Sequence, residues 1–411
     1  MCVGSSPFLL NPFVTRVKRR IPIRIVWFCR STWLVEICSG SGSPLSTCMS
    51  STPAAIQTDR LPIFVGRRTV TAYAAGMSRS TEIRVAVIGA GSWGTTVAAL
   101  ASVNTPTLLW ARRPQLADQI NAARVNPDYL PSFTLPDPLR ATPSLEEAVC
   151  DADVVVMAVP SHGFRAIAHE ASQYLRPWVP IVSLTKGIEP STLMRMTEVA
   201  AEEMPGRPVG VMTGPNLAKE IMAGQPAASV VAIPDATIAA ELQRILTRPS
   251  LRIYTNPDVV GCEIAGVVKN VIAIAAGMAE GMGFGDNTRA TLITRGLAEM
   301  ARLGVAMGAD PLTFAGLAGM GDLIATCSSK QSRNNSVGIA LGHGESIEDI
   351  LASMHMVAEG VKSSPSVLGL ADRYVVEMPI TEQVVDVCHH GKSAGEALAA
   401  LMSRTSKSEL A

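Results

Sequence analysis

Two lysines lie where an ammonium calls for an explanation. Lys269 sits within Ile264-Ala265-Gly266-Val267-Val268-Lys269-Asn270-Val271-Ile272-Ala273-Ile274, a long apolar helical run. A charge there is costly unless it is partnered or functional. Carbonyl reduction by hydride needs a proton donor near the new alkoxide, and a lysine with a lowered pKa can serve. The plainer role is that Lys269 pairs with a buried acid such as Glu263 or Asp322 and only holds its helix. Lys186 ends the run Ile181 to Thr185 and is followed by Gly187, which puts it on the edge of a sheet where ligands bind. A third cluster, Gly319-Met320-Gly321-Asp322-Leu323-Ile324-Ala325-Thr326-Cys327, runs into Ser328-Ser329-Lys330-Gln331-Ser332-Arg333-Asn334-Asn335. That loop is dense in hydroxyl, amide and cationic donors, as a phosphorylated substrate would require. A plain solvated connection would read the same way.

These groups need a scaffold, and the stretch Ile83-Arg84-Val85-Ala86-Val87-Ile88-Gly89-Ala90-Gly91-Ser92-Trp93-Gly94-Thr95 supplies its anchor. An apolar run ends in G-x-G-x-x-G and passes into Thr96-Val97-Ala98-Ala99-Leu100-Ala101, which reads as strand, tight turn and helix. Gly89 permits the sharp turn, Gly91 lets the backbone approach a pyrophosphate, and Gly94 lets the helix pack on the strand, while the helix N-terminus attracts phosphate. A dinucleotide site follows. About 20 positions on, where an acid would hold a free ribose 2′-hydroxyl, the chain has Ala111-Arg112-Arg113. Two guanidiniums without a carboxylate suit a 2′-phosphate, so NADP is favoured, with NAD possible.

Strand and helix signals alternate from Ile83 to about Tyr254. Thr107 to Trp110 is a strand, a helix opens after Pro114, a short strand lies near Arg140 to Thr142, and Ser144-Leu145-Glu146-Glu147 resembles a capping box. Asp153 to Pro160 has the continuous β-branched run of a central parallel strand, and Ile181 to Gly187 and Val209 to Pro215 repeat the scheme. After Asn256-Pro257 the text turns to helical periodicity, from Val259 through Gly281 and from Thr288 through Met307. Further helices are expected at Arg333 to Leu341, Ser346 to Ser353, Glu359 to Tyr374, Ile380 to Cys388 and Ser393 to Met402. The fold class is therefore α/β, an N-terminal Rossmann-like doubly wound sheet (77–256) followed by an all-helical C-terminal domain (257–404) and a tail (405–411).

The chain has 411 residues, room for two or three domains. Its 35 basic and 35 acidic residues cancel, so no global field draws it to nucleic acid or acidic membranes. The 8 cysteines include no C-x-x-C pair, which argues against a zinc module or disulfide scaffold and fits a reducing cytoplasm. Residues 1–76 differ from the rest, with Arg16, Lys18, Arg19, Arg20, Arg24, Arg30, Arg60, Arg67 and Arg68 against only Glu36 and Asp59. The apolar patch Ile25 to Cys29 is too short for a bilayer span. The segment reads as a transit peptide or as upstream sequence before a start at Met77. The second reading is preferred, and the segment is expected to be poorly ordered.

With these pieces placed, the chain from about Glu82 to about Arg404 resembles the NAD(P)-dependent glycerol-3-phosphate dehydrogenases of the bacterial type. The resemblance rests on Gly89 to Thr95, Thr185-Lys186-Gly187, Thr213-Gly214-Pro215-Asn216, Val268 to Ala273, Gly283-Phe284-Gly285-Asp286-Asn287, Gly319 to Leu323 and Ser332-Arg333-Asn334. It implies reversible reduction of dihydroxyacetone phosphate to sn-glycerol 3-phosphate for glycerophospholipid synthesis, in a cytoplasmic homodimer without an integral membrane segment. It also implies that Lys269 is the proton donor and acceptor, positioned by Asp322 and Asn270, and that Lys186 is shared by cofactor and substrate. Gly214, Asn216, Asp322, Thr326, Ser332, Arg333 and Asn334 would meet the substrate. Ser92, Trp93, Arg112, Arg113, Ala218, Arg333, Val357 and Glu359 would line the cofactor site beside the three glycines. One departure is Asn216, where the family has threonine or serine; its amide can still donate. Two other classes stay open: a β-hydroxyacid or ketopantoate-type reductase, which would read a carboxylate, and a non-catalytic dinucleotide sensor, which would need no proton donor.

Overall fold

The computed structural model describes residues 82–354, 358–405 and 408. Within residues 1–76 it describes only four short strands, Ile23–Val26 paired antiparallel with Leu34–Ile37 and Ile63–Val65 with Arg68–Val70. The expectation of a poorly ordered segment, and most of the 405–411 tail, otherwise lie outside the described residues.

Eight strands form the sheet of the nucleotide-binding half: β1 Val85–Ile88, β2 Thr107–Trp110, β3 Arg140–Thr142, β4 Val154–Met157, β5 Ile181–Ser183, β6 Val209–Thr213, β7 Ala227–Ala232 and β8 Leu251–Asn256. Their spatial order is β8-β7-β6-β5-β4-β1-β2-β3. All residues of β1 and β4 are buried, as their continuous apolar text requires of strands covered on both faces. Val85 and Val87 face one helical layer with Val97 and Ala98; Ala86 and Ile88 face the other with Phe164 and Met196. β1 pairs parallel with both β2 and β4, with Ile88 opposite Trp110 and Met157. The chain reverses its winding between β1 and β4, so a crevice opens beyond their carboxyl ends.

The pattern departs from a wholly parallel sheet at one step. β7 runs antiparallel to β6, and β8 then runs parallel to β7. The β6–β7 connection holds only the five-residue helix Ala218–Met222, in place of the long crossover helix that would return the chain to a parallel strand. Ser144 makes half of the expected capping box. Its hydroxyl accepts from the Glu147 amide, but the Glu147 carboxylate is taken by the Thr142 hydroxyl instead.

Beyond β8 the chain is helical. Asp258 caps the helix Val259–Gly281, which is buried from Gly261 to Ala279. Among the described residues it is the one helix long and apolar enough to cross a membrane, and it is buried inside the protein, among other helices along most of its length and against β6 and β7 at Cys262. The helix Arg333–Gly342 packs on it backbone to backbone. A Cβ added at Gly277 would lie 2.2 Å from the Asn335 carbonyl oxygen, and one at Gly338 2.2 Å from that of Ile274. Only glycine allows this approach, and it fixes where Arg333 and Asn334 emerge. The polar loop before the Arg333 helix spans residues 329–332, and the Gly319 to Cys327 stretch ahead of it, to which the sequence assigns no element, is helical. A π-helical turn, Leu317–Gly321, leads into a helix at Asp322–Ser328. Its glycines lower helix propensity and hide the period, and such turns recur at functional sites.

Candidate active site

The glycine turn has the geometry its motif asks for. Gly89 has φ +117, and a Cβ there would lie 2.5 Å from the Ala158 carbonyl oxygen at the end of β4. A Cβ at Gly94 would lie 2.0 Å from the Gly89 oxygen, whereas one at Gly91 would meet nothing within 4 Å. The first and third glycines are thus required by packing, and the second leaves an open backbone for a ligand. Ser92 opens the helix Ser92–Ser102 at that point. The indole nitrogen of Trp93 is buried with no partner in the protein. An orphaned donor beside an open glycine backbone and a helix N-terminus fits a dinucleotide pyrophosphate.

Lys269 is only 6% exposed. Its Nζ donates to Asp322 Oδ1 and to Thr326 Oγ1, both at 2.6 Å. Lys186 Nζ donates to Asp322 Oδ2 at 2.6 Å and to the Gly214 carbonyl at 3.2 Å. Asp322, itself buried, therefore joins the two ammoniums, one oxygen to each. Burial pulls the Lys269 ammonium down to about 8; the Asp322 carboxylate opposes this and the Lys186 charge adds to it. Of the two acids that could partner Lys269, the structure selects Asp322. Glu263 belongs to Arg195, whose Nη1 donates to it at 2.6 Å, and to the Thr197 amide at 3.0 Å. Pairing and a functional pKa coexist at Lys269.

Around this centre the helical half brings Asn270, Ser332, Arg333 and Asn334. Asn334 donates to Asn270 Oδ1 at 3.0 Å and accepts from the Gly360 amide at 2.9 Å, while Asn270 Nδ2 reaches the Gly266 carbonyl at 3.4 Å. Ser332 caps the helix that Arg333 begins, and Arg333 is exposed. Gly214 has φ +128, a turn that L side chains rarely adopt. Two residues on, the amide of Asn216 has both its nitrogen and its oxygen buried without a partner. That full set of unspent hydrogen bonds is what a polar ligand would satisfy.

On the cofactor side, Ala218 begins the short helix after β6. Glu359 opens the helix Glu359–Tyr374 and accepts from Ser161 Oγ at 3.4 Å; burial pushes its carboxyl up and the Arg333 charge opposes this. Val357 lies outside the described residues. Arg112 and Arg113 both stand exposed after β2, but they are not without a carboxylate. Arg113 pairs with Asp128, which a turn some fifteen residues away brings back to the strand end. Asn126-Pro127-Asp128 carries a turn signal in the sequence, yet nothing local shows that this turn folds against the arginines.

The comparisons agree with this arrangement. Family models described as the N-terminus and C-terminus of NAD-dependent glycerol-3-phosphate dehydrogenase match residues 84–239 and 258–399. The chain is 55% identical over 321 residues to glycerol-3-phosphate dehydrogenase (NAD(P)+) 2 of Sphingopyxis alaskensis, covering 78% of this chain and 96% of that one. It is 53% identical over 333 residues to the glycerol-3-phosphate dehydrogenase (NAD(P)+) of Streptomyces coelicolor, covering 80% and 99%. Among solved structures, the glycerol-3-phosphate dehydrogenase of Coxiella burnetii aligns with a TM-score of 0.75 at 35% identity, over 79% of this chain and 99% of its own.

Proposed function

The chain belongs to the NAD-dependent glycerol-3-phosphate dehydrogenase family, and on that premise we propose how its residues divide the work. The activity is the reversible, NAD(P)H-dependent reduction of dihydroxyacetone phosphate to sn-glycerol 3-phosphate. A bound reduced nicotinamide supplies the hydride. Gly89, Gly91, Ser92, Trp93 and Gly94 hold the pyrophosphate end, Arg112 and Arg113 the adenosine end, and Ala218 and Glu359 border the same crevice.

The chain's own chemistry is the proton. In the reducing direction Lys269 Nζ gives a proton to the substrate oxygen as the carbonyl becomes an alkoxide, and in the oxidising direction it takes one from the hydroxyl. Asp322 and Asn270 hold that lysine and its surroundings in place. Lys186, tied to the same carboxylate, stabilises charge developing on the oxygen. Arg333, with Ser332, Asn334 and the Asn216 amide, clamps the phosphate end. The carrying observation is the buried Lys269–Asp322–Lys186 bridge, with Lys269 at about 8. A sensor would have no use for a buried acid so poised. The test is turnover of dihydroxyacetone phosphate against carboxylate ketones. A preference for the carboxylate ketone, or a Lys269→Ala variant that turns over near normally while binding cofactor, would sink the assignment.

The same reading divides the described chain at Asn256-Pro257, where β8 ends before the Val259–Gly281 helix. It further takes the enzyme as a cytoplasmic homodimer supplying glycerophospholipid synthesis. The four described cysteines are all free thiols, which supports a reducing location.

A further inference from the structure

The pair at the end of β2 has opposite charges, and its two members suit different dinucleotides. We propose that Asp128 is a specificity-determining residue: it takes the ribose 2′-hydroxyl of the unphosphorylated cofactor and yields Arg113 to the 2′-phosphate of the phosphorylated one. The proposal rests on the dinucleotide crevice assigned above.

Three observations carry it. Arg113 stands at the end of the second strand, the place from which this fold reads the adenosine ribose, with an acid for the free hydroxyl or an arginine for the phosphate. Here the strand end supplies the arginine and a separate turn supplies the acid. That turn is fixed to the glycine motif itself. Asn126, fully buried, donates to the Ala90 carbonyl at 2.9 Å and to Thr95 Oγ1 at 2.8 Å, and its Oδ1 accepts from the Tyr129 amide at 3.3 Å. The Leu130 amide closes the turn on the Asn126 carbonyl at 2.9 Å. Asp128 is therefore held at a set position relative to the pyrophosphate turn. Finally, the Arg113–Asp128 pair is half exposed, at 56% and 40% of side-chain surface. Such surface pairs contribute little net stability, so an exchange of partners is inexpensive.

The chemistry follows. With a 2′-hydroxyl, the carboxylate accepts the hydroxyl proton's hydrogen bond while keeping its ion pair. With a 2′-phosphate, the guanidinium moves to the phosphate and the carboxylate is left beside like charge, which tempers the gain. One site thereby accepts both cofactors.

The test is titration calorimetry of the full chain without substrate, using NADPH, NADH, adenosine 2′,5′-bisphosphate and AMP. Asp128→Asn should tighten NADPH and the bisphosphate about three- to tenfold and weaken NADH and AMP by about twofold or more, with the NADPH gain shrinking at high salt. Asp128→Glu should restore the balance of the unaltered protein, and melting temperatures should stay level because the site is on the surface. Affinities unchanged for both cofactors, or shifted in the same direction, would overturn the proposal. Failure of the unaltered protein to bind either dinucleotide would overturn the crevice assignment instead.

Discussion

The pH dependence of the two directions of reaction tests the lysine directly, because the same group must be charged for one and neutral for the other. Lys269 in the free enzyme titrates at about 8, depressed by burial and by the Lys186 charge and held up by Asp322. It is then about nine-tenths protonated at pH 7 and about one-tenth at pH 9. For reduction, kcat/KM should be close to its plateau at pH 7, halve at about pH 8 and fall about tenfold per unit above that; for oxidation it should rise from pH 7 up to about pH 8 and then level off. The profile is read above pH 7 because the substrate phosphate itself titrates near about 6. Initial rates from the dinucleotide absorbance, at constant ionic strength, give both limbs. Asp322→Asn removes the one influence that raises Lys269, so both inflexions should move to lower pH. Lys269→Ala should lose about 10²- to 10⁴-fold in turnover, the span that a positioned acid contributes. Inflexions of the same sign in both directions, or an Asp322→Asn profile like the unaltered one, would take Lys269 out of the proton transfer.

Other expectations concern the frame that holds the site. Glu263→Ala leaves the largely buried Arg195 guanidinium with Glu198 as its carboxylate partner and takes away the acceptor of the Thr197 amide and hydroxyl, and urea denaturation should show a loss of about 1–3 kcal/mol. Gly338→Ala puts a Cβ 2.2 Å from the Ile274 carbonyl oxygen. It should cost about 1–3 kcal/mol and raise KM for the substrate, because the helix carrying Arg333 and Asn334 must back away; Gly395→Ala, in a helix where a Cβ meets nothing within 4 Å, should instead leave stability level or raise it by up to about 1 kcal/mol. A chain begun at Met77 should keep its turnover and melting temperature, since the family match starts at residue 84; loss of either would assign a role to residues 1–76.

What could be read from the sequence was whatever is written locally. The strand–turn–helix of Gly89 to Thr95, the buried run of β4 and the helix from Val259 to Gly281 each declare themselves by period and punctuation over a dozen residues. The unusual position of Lys269 is equally visible, since an ammonium within such an apolar run needs a reason. Its partner is not. Asp322 is 53 positions away, and Glu263, six positions away on the same helix, was an equal candidate until Arg195 claimed it. The short helix carrying Asp322 was hidden by the low helix propensity of its leading glycines. Asp128 was missed for the same kind of reason: its place beside Arg113 depends on a buried asparagine that ties one loop to another. The reversal of β7 was also out of reach, because alternation of strands and helices does not record strand direction.

The arrangement of charges explains why a phosphorylated substrate suits this lysine. Asp322 gives one oxygen to each of Lys186 and Lys269, so with both ammoniums protonated the buried cluster keeps one positive charge uncompensated. That surplus, taken out of water, is what lowers Lys269. If Arg333 holds the substrate phosphate as proposed, that dianion supplies the missing negative charge, and an opposite charge nearby favours the protonated lysine. On the proposed reading, the bound phosphate therefore keeps Lys269 protonated to a higher pH, and the kcat profile for reduction should break at a higher pH than the kcat/KM profile. A carboxylate ketone brings half that charge. The same reading then expects the two substrates to differ in the pH at which kcat for reduction breaks, the carboxylate ketone breaking at the lower pH.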